Sequence, residues 1–482
     1  MTAANFPSLP DRRAANEPDG VCLAEPGTVL TNRDFLERIE AASQTLRASG
    51  IGRGDVVALR LGNRIQFVVL MFASWRLGAA VTPVNPVLTQ AELDHQLDNS
   101  GASLVISDAH VSSAINQLLV DSIPTERSGR ISPPDYDPEG LALLVYTSGT
   151  TGKSKGVMLV HANIDAMASQ IARELNVVPT DNFVLILPLF HVNGIVVSIL
   201  APLLGDARTT IMPRFEVHRF LEIVSSTEVT VFSAVPTILM MLDDLGDDVR
   251  TKLSSVRLGI TGAAPCPPGL TARIERRFGF PVVEGYGLSE ATCASTANTV
   301  ENRKPGTVGR PIPGQEVQIA NELGGFNPPG TDGEVLIKGP TVMRGYLGEP
   351  ELTAQTISRD GWLRTGDIGH LDDDGYLVIV GRAKDMIIRG GENIYPREIE
   401  DVLSCEPAVQ EAAVVGFPDE KFGEIVVAFV VAVAGQSLSV DRLHDLCIER
   451  LSPFKRPVDI RVVDELPKNA TGKVQKFRLV ET

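Results

Sequence analysis

The chain has 482 residues, 43% of them apolar and 22% charged, the mix of a soluble globular protein. That length exceeds one ordinary core, so two or three domains are expected. Forty-four basic against 60 acidic residues leave a net charge of −16 and a pI near 5.0, which argues against non-specific binding to nucleic acid or an anionic membrane but allows a local basic pocket.

The N-terminus, MTAANFPSLPDRR, lacks the apolar core of a signal peptide, so a cytoplasmic location is expected. Residues 28–48 read as a short strand and then a helix capped by Thr31 or Asn32. Asp55–Leu61 reads as a strand, Gln66–Leu77 as an amphipathic helix, and Ala79–Val84 and Ala102–Ser107 as further apolar strands. This alternation implies parallel βαβ units. Ser112–Glu139 is polar and proline-bearing, and reads as a surface connection. Asn163–Glu174 is helical. Phe183–Leu187, Ala207–Met212, Val229–Ala234 and Val256–Thr261 are strands, with helices such as Arg219–Ser225 and Pro236–Leu245 between them. Phe183–Gly205 has no formal charge with His191 neutral, and it is long enough to cross a bilayer. Its Pro188, His191, Asn193, Gly194 and Pro202 suit a strand, a turn and a buried helix better. Gly314–Ile319 and Glu334–Ile337 are short strands between Gly/Pro turns, the style of an antiparallel subdomain. Tyr376–Val380 ends in Gly381-Arg382. Beyond it, strands at Met386–Ile388, Val409–Phe417, Ile425–Val433 and Val458–Val463 alternate with helices at Pro396–Ser404 and Val440–Arg450. That is roughly 100 residues, enough for a small α+β domain. The five cysteines are scattered, odd in number and without a CxxC pair, so neither a disulfide framework nor a zinc site is expected.

One stretch stands out for chemistry. Leu144–Gly156 reads LVYTSGTTGKSKG, the end of a buried strand followed by ten residues with three glycines, five hydroxyls and two lysines. Small residues let backbone approach a ligand closely, and hydroxyls, lysines and exposed N–H groups are what polyphosphate oxygens need. On composition alone, a flexible surface turn is the plain alternative. A P-loop is disfavoured, because Thr147 stands where that pattern wants its first glycine.

Five motifs occur in order: TSGTTGKSKG at Thr147–Gly156, GYGLSE at Gly285–Glu290, TGD at Thr365–Asp367, GRAKD at Gly381–Asp385 and NATGKVQK at Asn469–Lys476. Together they resemble the acyl-adenylate-forming superfamily (AMP-binding enzymes), which includes acyl-CoA synthetases, adenylation domains of peptide synthetases and luciferases. The resemblance covers nearly the whole chain. It implies an α/β fold: a large N-terminal domain, residues 1–381, of parallel-type sheets with helices plus the antiparallel subdomain; a hinge at 382–385; and a small mobile α+β domain, residues 386–482. It also implies a two-step ligase reaction with ATP, Mg²⁺ and coenzyme A. A carboxylate attacks the α-phosphate to give acyl-AMP and pyrophosphate, and a thiol then displaces AMP.

The first step brings a carboxylate to a polyanion, so catalysis should rest on positioning and positive charge. By the resemblance, Thr147, Ser148, Gly149, Thr150, Thr151, Gly152 and Lys155 hold the phosphates. Ser154 stands where the family commonly has Pro. Glu290 is the candidate Mg²⁺ ligand, because that ion prefers carboxylate plus phosphate oxygens. Ser289, where the family usually has Thr, bonds the α-phosphate. Glu284, Gly285, Tyr286 and Gly287 belong to the nucleotide site, with Tyr286 the face on which adenine stacks. Gly262, Ala263, Ala264 and Pro265 line the adenine through main-chain groups. Asp367 resembles the acceptor of both ribose hydroxyls, and Arg382 is the second ribose candidate. Lys473 is the catalytic cation and Lys384 the hinge. Arg389, Gly390, Gly391 and Lys421 are the coenzyme A candidates.

For the acid, LPLFHVNG places His191 near the point where amino-acid-activating relatives carry Asp, so an amino-acid substrate is not expected. His191 itself resembles the group at the edge of the acyl pocket, near the carboxylate. Gly285 stands where malonate-activating relatives carry Arg. Val235, Thr261, Leu288, Cys293 and Ala294, small or apolar, line the expected pocket and suit an uncharged tail. A fatty or other apolar acid comes first and an aryl acid second. Loading of an acyl carrier protein and a non-catalytic binding module are the other readings.

Overall fold

The helix Asn32–Ala48 starts where local chemistry dictates. Thr31 is its N-cap: its hydroxyl accepts from Asp34 N at 3.1 Å, and the Asp34 carboxylate accepts from Thr31 N at 3.0 Å. A computed structural model describes residues 5–133, 135–147, 154–321, 323–468 and 474–480 of the chain.

The predicted strand–helix alternation folds into two parallel-type sheets. In the first, seven-stranded, Val56–Arg60 lies between the parallel strands Ala80–Pro83 and Leu104–Ser107. Leu141–Thr147 extends this sheet in parallel, then pairs antiparallel with Lys155–Val160. The glycine-rich stretch therefore connects two antiparallel-paired strands, and the Lys155–Val160 strand is an element the sequence reading did not separate from the loop. In the second sheet, nine-stranded, Arg208–Ile211, Asn182–Leu185, Val231–Ala234, Leu258–Thr261 and Val282–Tyr286 run parallel. Their carboxyl ends carry Val235, Gly262 and Gly287, the place where open α/β sheets bind ligands.

One apolar core joins the two sheets. It contains Val57 and Leu59 of the first, Leu23 and Leu185 of the second, and Phe67, Phe72 and Trp75 of the helix Ile65–Arg76. That helix, expected to be amphipathic, is buried on every side except at Gln66, because helices and sheets cover it all round. On the other face of the nine-stranded sheet a second core gathers Val184, Phe220, Phe232 and Phe280. The uncharged run after Phe183 becomes the strand Asn182–Leu185 and a broken helix over Val192–Leu204, with a π turn at Val196–Leu200. No helix among the described residues is long and apolar enough to cross a membrane.

The stretch Ser112–Glu139 is more than a connection. It supplies the strand Asn116–Leu119, paired with Leu104–Ser107, and buries Ile131. It also completes an ion cluster. Glu40, fully buried, meets Arg127, and Arg76, 2% exposed, reaches Glu40 at 3.7 Å and both Asp11 oxygens at 2.6 and 2.8 Å. Arg76 Nε also donates to the Ile131 carbonyl.

The predicted antiparallel unit is a four-stranded sheet of Glu316–Ala320, Gly333–Lys338, Leu363–Leu371 and Leu377–Arg382. From Ile387 onward a separate sheet pairs Val409–Asp419 with Gly423–Ala432, flanked by Ile387–Arg389 and Asp459–Val462. Both its faces are covered. The helices Pro396–Leu403 and Val440–Arg450 pack over Val414, Val426 and Val430, and Leu479 of the last helix packs over Val415, Val427 and Phe429. All five cysteines are free.

Arg76→Met tests the buried cluster. Its removal strands Glu40 and Asp11, and a loss of about 3 kcal/mol in unfolding free energy is expected from chemical denaturation. A loss within error of zero would show that Arg127 and Arg130 neutralise Glu40 without it.

Candidate active site

The GYG bend is built by steric necessity. A Cβ on Gly262 would lie 2.6 Å from the Gly285 carbonyl oxygen, and one on Gly287 would lie 2.1 Å from that of Cys293. Glycine at both points lets the end of the strand Leu258–Thr261 close onto the strand Val282–Tyr286 and the following turn. Ser295 N donates to the Tyr286 carbonyl at 2.7 Å, which closes the turn. Beside it Ala263, Thr292 and Cys293 take positive φ values of 65°, 57° and 109°, uncommon for residues with a Cβ. Thr292 Oγ1 donates to the Thr341 carbonyl at 2.5 Å and anchors that strain.

From this bend the Tyr286 hydroxyl donates to Asp367 Oδ2 at 2.6 Å, and Arg382 Nε donates to Asp367 Oδ1 at 2.7 Å. Asp367 and Arg382 face each other across the strand pair Leu363–Leu371 and Leu377–Arg382. Burial, and then the charge of Asp367, push the Tyr286 phenol well above its usual range, so it stays a donor. Three residues the sequence singled out separately, 81 and 15 positions apart, thus form one cluster. A carboxylate offers about four lone-pair sites, so Asp367 keeps capacity for a ligand's hydroxyls.

Glu290 sits in the short turn Ser289–Ala291. Its Oε1 accepts from the Tyr346 hydroxyl at 2.9 Å, and the Tyr346 ring lies 5.5 Å from Lys155 Nζ. Lys155 pairs with Thr147 across the base of the hairpin. Ser148, Gly149, Thr150, Thr151 and Gly152 lie outside the described residues, as does Lys473. Sequence reasoning missed Tyr346, which carries no motif of its own. Among the described residues no group of three or more potential metal ligands occurs. A single carboxylate fits Mg²⁺, which takes one or two carboxylates and completes its shell with phosphate oxygens and water.

The expected acyl wall is split. Leu288, Cys293 and Ala294 pack with Tyr286 against the larger core, whereas Val235 packs on the second core. Thr261 is buried, and its hydroxyl has no hydrogen-bond partner among the described residues. The His191 ring meets Phe190 edge-on at 4.5 Å. Two polar groups that sequence reasoning did not assign to a site are bonded, Ser233 Oγ donating to Asn193 Oδ1 at 3.2 Å.

On the last sheet, Gly390 and Gly391 make a turn at φ 62° and 89°, and Gly390 N donates to the Phe422 carbonyl at 2.7 Å. Arg389 and Lys421 lie 5.3 and 5.1 Å from the Phe422 ring, so two of the expected coenzyme A residues share one aromatic platform. Lys384 lies in the exposed turn Ala383–Asp385.

The AMP-binding enzyme model matches residues 10–347, and the AMP-binding enzyme C-terminal domain matches residues 398–473. The chain belongs to the AMP-binding enzyme family. It is 34% identical to the sulfoacetate–CoA ligase of Cupriavidus necator, over 97% of this chain and 96% of that one. It is 35% identical to the feruloyl-CoA synthase of an Amycolatopsis species, over 97% of each. ATP-bound MatB from Rhodopseudomonas palustris superposes with a TM-score of 0.92 at 30% identity, covering 100% of this chain and 99% of that one; its apo form gives 0.83. This member of the family is an AMP-forming acid–thiol ligase, with ATP and coenzyme A as cosubstrates and Mg²⁺ as cofactor.

In this ligase Gly381 and Glu284 also lie near residues 395–403. Tyr395 packs its ring 3.3 Å from where a Cβ on Gly381 would be, and the helix Pro396–Leu403 follows it. Burial pushes the Glu284 carboxyl from an ordinary 4.5 up to about 7; Arg397 of that helix opposes the shift and Asp401 adds to it. A raised carboxyl stabilises the fold fully below its unfolded value, and that contribution is lost as pH rises through about 7. Glu284→Gln should therefore flatten part of the fall in melting temperature between pH 4.5 and 7. A slope identical to that of the parent would count against the shift.

Proposed function

We propose that this ligase activates a monocarboxylic acid with an uncharged tail, of fatty or other apolar type, as an acyl-adenylate and passes the acyl group to coenzyme A. The observation that carries the nucleotide half is the Asp367 carboxylate held between Tyr286 and Arg382, beside the glycine bend. The acid half rests on the wall at Leu288, Cys293 and Ala294, which carries no charge, and on Gly285, which offers no counter-charge for a second carboxylate. An aryl acid is the second reading, favoured by the Asn193–Ser233 pair, which suits a ring substituent that hydrogen-bonds. Transfer to a carrier protein in place of coenzyme A has no particular observation in its favour.

On this reading Asp367 accepts the ribose hydroxyls while Arg382 and Tyr286 fix its orientation. Tyr286 presents its ring, and Gly262–Pro265 their main-chain groups, to adenine. Thr147 and Lys155, with Ser148, Gly149, Thr150, Thr151 and Gly152 between them, donate to the phosphates, and Ser289 to the α-phosphate. Glu290 holds Mg²⁺, which offsets phosphate charge when bound. His191 edges the acyl pocket. Lys473 brings its ammonium to the charge that builds on the α-phosphate. Lys384 marks the boundary near residues 382–385, about which the C-terminal domain turns between half-reactions. Arg389, Gly390, Gly391 and Lys421 then meet the thiol substrate.

A panel of fatty, aryl and dicarboxylic acids, read by pyrophosphate release and thioester formation, tests the assignment. Turnover with fatty or aryl acids supports it, and turnover with dicarboxylates alone overturns the acid class. With the best acid, Lys473→Ala should lower pyrophosphate release about 10²–10³-fold; an unaltered rate removes Lys473 from the first step. Lys384→Pro should stall thioester formation and spare pyrophosphate release, because proline restricts the backbone the turn needs. Equal loss of both would count against a hinge there.

A further inference from the structure

Tyr346 stands on the two-residue strand Gly345–Tyr346, whose backbone is clipped on three sides. Tyr346 pairs with Val157, Arg344 N donates to the Met158 carbonyl at 3.0 Å, and Leu347 N donates to the Gly156 carbonyl at 2.8 Å. These bonds tie it to the strand that leaves the phosphate loop. Toward the metal-ligand turn, Met343 N donates to the Glu290 carbonyl at 2.8 Å. From behind, Thr353 Oγ1 accepts from Tyr346 N at 2.9 Å. Tyr346 itself is buried. Its two functional ends therefore leave a rigid base: the hydroxyl 2.9 Å from Glu290 Oε1, and the ring 5.5 Å from the Lys155 ammonium.

We propose that Tyr346 is a positioning residue for adenylate formation, its hydroxyl aiming the Glu290 carboxylate while its ring seats Lys155. The proposal rests on the reading of Glu290 as the Mg²⁺ ligand. The physical reason is the mismatch between a flexible ligand and a demanding ion. A glutamate side chain has three rotatable bonds, while Mg²⁺ accepts only near-octahedral geometry at short distances. A donor on one carboxylate oxygen removes that freedom before the ion arrives, and hydrogen-bond partners of metal-binding groups commonly decide affinity. The ring adds a second fixed relation. Lys155 at the start of its strand and Glu290 in the neighbouring turn are referred to one side chain, so the cation and that ammonium keep a constant spacing.

The test uses the full-length enzyme with Mn²⁺ as probe and α,β-methylene-ATP as an uncleaved nucleotide, free Mn²⁺ being read by electron paramagnetic resonance. Tyr346→Phe keeps the ring and loses the hydroxyl. Mn²⁺ affinity should fall about tenfold, the Mg²⁺ needed for half-maximal pyrophosphate release should rise with it, and the melting temperature should not move. Should Tyr346→Phe fail to fold, Thr353→Val, which frees the backbone anchor without touching Glu290 or Lys155, must weaken Mn²⁺ in the same direction. In a Glu290→Gln background the Tyr346→Phe change should add no further loss. Wild-type Mn²⁺ affinity in Tyr346→Phe, or an additional loss in the double variant, overturns the positioning role. Wild-type affinity in Glu290→Gln alone overturns the metal assignment beneath it, a distinct failure.

Discussion

A carboxylate at 4% exposure, held between a phenol and a guanidinium, joins the parts of this molecule. Asp367 belongs to the antiparallel sheet, Tyr286 to the last parallel strand of the nine-stranded sheet, and Arg382 to the end of the strand that leads into the C-terminal unit. A buried carboxylate is costly unless it is paired, so the two sheets approach only in the arrangement that brings both donors to it. The adjoining glycine bend, the strained Thr292–Cys293 turn and the Glu290 turn are all placed by that approach.

Charge sets the second constraint. The chain carries −16 overall, yet its reaction joins one anion to another. Basic groups are therefore local and individually seated. Lys155 lies over Tyr346, Arg382 on Asp367, and Arg389 and Lys421 at Phe422. Aromatic seats hold ammonium and guanidinium groups without neutralising them, which leaves their charge available to a ligand.

Much of this was legible in the chain. The alternating apolar segments named most strands, Thr31 or Asn32 marked a helix start, and five short motifs named the family and supplied Tyr286, Asp367 and Arg382 as separate candidates. What stayed hidden has physical reasons. Periodicity in Ile65–Arg76 shows an apolar face but does not reveal that neighbours cover the remaining sides. Ser112–Glu139 looks like solvent-facing chain because its fully buried contribution to the core is only Val120 and Ile131, and its Arg127 is neutralised by Glu40, distant in sequence. Tyr346 meets Glu290 across 56 positions, and Asn193 meets Ser233 across 40, contacts that no local pattern encodes.

The hairpin that carries the glycine-rich loop has one further consequence. In a P-loop or dinucleotide fold the phosphate rests on the N-terminus of a helix, whose aligned peptides supply a permanent partial positive charge. Here the chain leaves the loop as a β-strand, Lys155–Val160, and strand dipoles largely cancel. The peptide scaffold contributes almost no standing field at that spot. If this loop holds the phosphates as proposed, the attraction there comes from its hydroxyl and ammonium side chains, and cations on side chains can withdraw. A site whose field is removable in this way can grip a triphosphate for one chemical event and let its fragment go.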